Sequence, residues 1–321
     1  MRDSFTARLE QLAATDPRIF LITGDLGFGV LDKFEKTFPR QYLNAGVAEQ
    51  NMTGVATGIA MEGRIVFTYS IGNFPTLRCL EQIRNDAAYH NANVKVVAIG
   101  GGFSYGALGM SHHATEDLAI MRAIGIPVVA PGCDWEAEEA VDALVGKPGT
   151  CYLRLDRASA GRTSRPGERF ELGRARELRS GDDVTLIATG GILAEALAAA
   201  DSLLSEKNIK CRVLSMHTIN PLDVDAVLAA ARETGGIVTV EEHTTNGGLG
   251  GAVAEACLDS GTSPRAFARL GVRGGFTSIV GSQEYLRRRY GIDRAGIAAA
   301  VESVARQGIA FKSAGLLTLD I

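Results

Sequence analysis

Apolar positions in this chain fall in short runs separated by longer stretches of helical periodicity. Ile19–Thr23, Ile65–Tyr69, Val94–Ile99, Val128–Ala130 and Cys151–Leu155 read as strands. Between them, residues 3–14, 48–61, 76–91, 115–123 and 134–145 carry apolar side chains at the spacing of one helix face. Strand and helix in alternation predict a parallel sheet covered on both faces. After a polar stretch, Asp156–Glu168, rich in Arg, Ser, Gly and Pro, the alternation starts again. Val184–Ala188, helix 192–206, Lys210–Ser215, helix 222–233, Ile237–Glu241, helix 248–259, Phe267–Leu270 and a helical region from about Ser282 make up the second unit. The expected fold is therefore α/β, with two three-layer domains dominated by parallel sheets, at residues 1–160 and 181–321, joined by a linker over 161–180.

Composition narrows the class. Hydrophobic residues at 46% and charged residues at 22% match a soluble globular protein, and no apolar run approaches the ~20 residues of a spanning helix. The N-terminal segment is an amphipathic helix pattern without the basic and apolar regions of a secretory signal. Five scattered cysteines, an odd number without CxxC spacing, argue against a disulfide framework or zinc site and fit a reducing cytoplasm. A net charge of -4 with no basic block excludes nucleic acid as the expected partner. Glycines lie beside alanines inside helical patterns, as in 46–63, which points to close packing of helices at an interface.

Glycine-rich segments follow several strands. GDLGFG (24–29) lacks GxGxxG spacing, and no GxxxxGK[ST] occurs, so neither dinucleotide nor P-loop chemistry is indicated. Gly100–Gly102 and GGLGG (247–251) read as tight turns at the carboxyl edge of a parallel sheet, where ligands bind in such folds.

Three segments carry candidate chemistry. Glu49 and Gln50 open a helix whose remaining residues are almost all small or apolar. A carboxylate in a first turn ordinarily complements the helix dipole, but an apolar surround also suits a buried carboxyl with a raised pKa. In 66–74, Phe67 and Tyr69 alternate as in a half-buried strand, and core packing is the first reading of Phe67. Phe74 lies beyond it before Pro75, where an aromatic ring can stack on a flat heterocycle or plug a domain interface. His112 and His113 stand in a loop before a helix, a placement that suits a ligand contact better than metal ligation, for which no third ligand is spaced.

GDLGFG, FPRQYLNAGVAEQNMTGVATGIAMEG (38–63), SHHATEDLAIMR (111–122) and VTVEEHTTNGGLGGAVAE (238–255), in this order, resemble the pyrimidine-binding plus C-terminal half of transketolase-family proteins over essentially the whole chain. GVAEQNM and H-x-x-x-E-D-L are the specific signatures. The resemblance implies thiamine diphosphate as cofactor. Glu49 would hydrogen-bond the pyrimidine N1′, Phe74 would stack on that ring with Tyr69 and Phe67 as weaker candidates, and Asp25 and Leu26 would lie in the loop reaching the cofactor. His112 would touch substrate hydroxyls or carbonyl, with His113 second to it, and Arg154 and Arg157 would bind substrate phosphate or carboxylate. Glu49 and His112 are the implied catalytic residues. The family's GDG…N magnesium motif does not occur. The resemblance thus implies a subunit of a split transketolase whose partner supplies the pyrophosphate and Mg2+ ligands in an α2β2 assembly, acting on a sugar or sugar phosphate, with no nucleic acid or membrane partner. A departure stands near Gly100: transketolases have a further substrate histidine there, and this chain has glycines. The β subunit of a 2-oxoacid dehydrogenase, a deoxyxylulose-phosphate synthase-like carboligase and a nonenzymatic binding module are the alternatives, the last opposed by the presence of Glu49, Phe74 and His112.

Overall fold

Strands β1 (Ile19–Thr23), β2 (Tyr42–Asn44), β3 (Ile65–Ile71), β4 (Val94–Ile99), β5 (Val128–Val129) and β6 (Cys151–Leu155) pair in parallel. The computed structural model describes the backbone of residues 1–316 and side chains through residue 307; the last five residues of the expected second domain lie outside the described residues. Successive strand residues face opposite sides of the sheet. Leu21 joins Phe67, Tyr69, Val97 and Leu153 beneath α1 (Arg2–Ala13), while Ile22 joins Val66, Val96 and Tyr152 on the other face. Short α2 (Asp32–Thr37) follows β1. The small residues of α3 (Glu49–Met61) let Met52 and Ala56 pack on the second face.

The helix expected over 76–91 is a composite. A 3-10 turn (Leu77–Cys79), the short α4 (Leu80–Gln82) and a π turn (Ile83–Ala88) follow one another. Helices α5 (Asp117–Ala123) and α6 (Asp134–Val145) complete the first layer set.

The second sheet contains β7 (Arg176–Arg179), β8 (Val184–Thr189), β9 (Cys211–Ser215), β11 (Ile237–Thr244) and β12 (Phe267–Val272), in the order β12-β11-β8-β9-β7. Its parallel core is packed by α7 (Leu193–Lys207), α8 (Val224–Glu233), α9 (Leu249–Asp259), α10 (Gln283–Arg289) and α11 (Arg294–Leu316). The stretch read as a linker is thus partly sheet. Arg176–Arg179 alternates buried and exposed residues and pairs antiparallel with β9 as an edge strand. Before it, Phe170 stacks on His217 at 4.2 Å and meets Trp135 edge-on, so this segment is packed rather than free. Burial lowers the pKa of His217 and favours its neutral ring.

β10 (Thr218–Asn220), which the apolar pattern did not mark, leaves the second unit and pairs antiparallel with β5, at the end of the first sheet. Among the described residues no helix is long and apolar enough to cross a membrane.

Candidate active site

The turns after β1, β2, β3, β4 and β6 all emerge at the carboxyl edge of the first sheet, because those strands are parallel. That edge gathers Asp25, Leu26, Glu49, Phe74, His112 and Arg157.

Glu49 is the first residue of α3 and only 2% exposed. Its Oε2 accepts from Arg78 Nη1 at 2.8 Å, and a Cβ at Gly24 would already touch its Cγ. The Arg78 guanidinium also lies over the Phe74 ring, 4.7 Å from its centre. Phe74 in turn meets the edge of His112 at 5.1 Å. Asn73 Nδ2 donates to the Ser111 and His113 carbonyls, fixing the turn after β3 to the loop after β4. Glu49, Arg78, Phe74 and His112 therefore form one continuous row. Partial burial, reinforced by neighbouring His113, lowers the pKa of His112 and leaves a neutral ring at pH 7.

The row continues through Tyr105, whose ring centre lies 6.3 Å from that of His112, to Arg157, whose guanidinium sits 5.7 Å from the Tyr105 centre. A cavity of 380 Å³ opens here, lined by Met1, Arg2, Asp3, Ile99, Tyr105, Asp156 and Arg157. Asp25 is exposed with φ 56°, exchanging hydrogen bonds with Asn44, and the Leu26 carbonyl accepts from Thr23 Oγ1. Both lie at the same edge.

Four sequence expectations need correction. Phe67 and Tyr69 point into the core beneath α1, within 6.1 and 6.2 Å of the Phe5 ring, and present no face to the edge. Arg154 is enclosed between the two units, donating to Asp156, Asp117 and the Glu242 carbonyl at 3.1, 3.3 and 2.9 Å, so each of its three guanidinium nitrogens is already engaged. His113 is buried too. Its Nε2 donates to the Gly106 carbonyl at 3.0 Å and its Nδ1 lies 2.6 Å from the Thr277 hydroxyl, so both ring nitrogens are already engaged in holding the loop.

Arg2, Arg78 and Tyr105 are side chains of this row that reading the sequence passed over. Arg2 had a signal: a cation in a helix's first turn opposes the dipole, here beside Asp3 at 2.8 Å. Arg78 had none, since its meaning depends on a fold that brings it to Glu49.

The pattern of the pyrimidine-binding domain of transketolase matches residues 1–162, and that of the transketolase C-terminal domain matches 173–297. One of the subunits of the apulose-4-phosphate transketolase of Phocaeicola vulgatus is 38% identical over 92% of this chain and 94% of that protein. The SqwH subunit of the 6-deoxy-6-sulfo-D-fructose transketolase of a Clostridium species is 37% identical over 95% and 94%. A solved split-gene transketolase, described as an inactive beta4 tetramer, superposes with a TM-score of 0.84 at 34% identity, covering 96% of this chain and 98% of that one. By domain content, by identity along its length and by fold, the chain belongs to the transketolase family, and the relatives it matches end to end are subunits of split transketolases.

Proposed function

We propose that this chain is the pyrimidine-side subunit of a thiamine-diphosphate-dependent split transketolase. It moves a two-carbon ketol unit from a ketose phosphate to an aldose, in the cytoplasm, and works in an α2β2 assembly with a partner that carries the pyrophosphate and Mg2+ ligands. The carrying observation is the Arg78 guanidinium. It is flat and cationic, donates an N–H to buried Glu49 and rests on Phe74. A protonated aminopyrimidine offers the same three properties, so these side chains fit that half of the cofactor.

The cofactor, when bound, supplies the nucleophilic carbon that takes up the ketol unit. Glu49 would hold a proton toward the ring nitrogen, and Phe74 would fix the plane of the ring. Neutral His112 can donate to a sugar carbonyl, or donate to or accept from a sugar hydroxyl. Arg157 and Arg2, on one cavity, would receive an anionic end of the sugar.

Calorimetry tests the division of labour: thiamine diphosphate with Mg2+ is expected to bind the isolated chain weakly or not at all. Tight magnesium-dependent binding without a partner would sink the split-site reading. His112→Ala is a second check. Loss of one substrate hydrogen bond should lower kcat/KM for the sugar about tenfold, with cofactor affinity in the assembled enzyme unchanged. A collapse of cofactor binding, or no change for the sugar, would place His112 elsewhere.

A further inference from the structure

We propose that Tyr105 is the specificity-determining residue of the substrate cleft: its ring, rather than its hydroxyl, limits the length of the sugar that lies between His112 and Arg157. This rests on the transketolase reading of the site.

The ring sits flat on the turn after β4. A Cβ on Gly100 would overlap its Cε2, and Gly100 has φ 86°, a conformation in which no side chain would readily compete for that space. Tyr105 lines a cavity of 630 Å³, with Ser104, Leu108, Arg157, Ser282 and Gln283 among its neighbours, and also the 380 Å³ cavity that contains Arg2. Tyr105 and Arg157 are the two side chains common to both, with Arg157 over the Tyr105 ring and His112 edge-on to it.

Tyr105 is held from behind. Two residues before it, Phe103 N donates to the Glu242 carboxylate at 2.5 Å, which also accepts from Gln283 Nε2 at 2.8 Å and Arg287 Nε at 2.5 Å. One residue after it, the Gly106 carbonyl accepts from His113, and a Cβ on Gly106 would strike Leu286 and the Gly281 carbonyl. The backbone that carries Tyr105 is thus clamped to the second unit. Removing the ring would enlarge both cavities and take away the platform under Arg157. The substrates selected are aldose phosphates short enough for the anionic end to meet Arg157 while the carbonyl end reaches His112.

The test uses the chain assembled with its partner and compares kcat/KM for aldose phosphates of four, five and six carbons. Tyr105→Ala should shift the short-to-long preference by roughly tenfold or more toward the longer sugars, the scale on which an apolar wall discriminates. Tyr105→Phe should keep the wild-type preference within about twofold. An unchanged preference in Tyr105→Ala overturns the proposal, and so does a Phe variant that behaves like Ala, since the hydroxyl would then be the selecting group. Absence of two-carbon transfer in the wild-type assembly would instead sink the transketolase reading. In that event ligand-observed NMR of the same aldose phosphates on the isolated chain decides the matter: a length preference lost in Tyr105→Ala supports the wall, and one retained removes it.

Discussion

With Glu49 changed to glutamine and the chain assembled with its partner, deuterium exchange at C2 of bound thiamine diphosphate is expected to slow by about 10²–10⁴-fold, the usual contribution of a positioned acid or base. Glutamine keeps the size of the side chain and can still hydrogen-bond, but it cannot share an acidic proton with a ring nitrogen. The effect should be large because the carboxylate is enclosed: Glu49 is nearly inaccessible at the start of a helix of small residues, where a proton's position is felt with little screening by water. Folding should survive, since glutamine can still accept the hydrogen bond from Arg78, and the Arg78 side chain, 46% exposed, keeps its charge in contact with water. Equal exchange rates in wild type and variant would reduce Glu49 to a charge at a helix start.

Asp117→Ala should act on stability instead, lowering the free energy of unfolding by about 3–5 kcal/mol, the cost of breaking a buried ion pair from one side. Asp117 is fully buried. One oxygen accepts from Arg154 at 3.3 Å and the other from the Tyr152 hydroxyl at 2.6 Å. Burial by itself would lower the Arg154 pKa, but Asp117 and Asp156 outweigh it and hold the guanidinium charged. A guanidinium does not deprotonate inside a protein, so Arg154 keeps its charge when Asp117 is removed. A urea titration measures the loss, and a midpoint within experimental error of wild type would show that Asp156 and the Glu242 carbonyl suffice. In the variant that still folds, sugar KM should change far less than in Arg157→Ala, because Arg154 faces the domain boundary and Arg157 faces the cleft.

That contrast shows what the sequence makes legible. Arg154 and Arg157 stand three residues apart in CYLRLDR, and both read as cations at a strand end. β6 is buried on both faces, so alternation gives no clue to which cation reaches solvent. The same limit affected Phe67 and Tyr69. Alternation correctly put them on one face of β3, but only the packing of Phe5 shows that this face is closed by α1. The burial of Glu49 was legible from its place at the head of a helix rich in small and apolar residues. The strand–helix alternation gave both parallel sheets. β2, β7 and β10 escaped because they are three or four residues long, carry little apolar periodicity, and exist by virtue of the neighbours they pair with. Arg78 shows the same thing at the site, where a long-range salt bridge leaves no local trace.

Thr218–Asn220 has a consequence for how such a chain can be rebuilt. These residues complete the first sheet from the far side of the linker, with Thr218 opposite Val129 and Asn220 opposite Val128, the Ala130 amide donating to the His217 carbonyl at 2.7 Å, and Asn220 Nδ2 donating to the Ile126 carbonyl at 2.7 Å. Severing the gene between the two units, or exchanging the second for a foreign one, would bare the two-residue strand β5 along its outer side and leave an edge open to pairing with other chains. Exchanging the second unit thus reaches into the first: a chimera keeps the first sheet intact only if the incoming half brings its own counterpart of this strand.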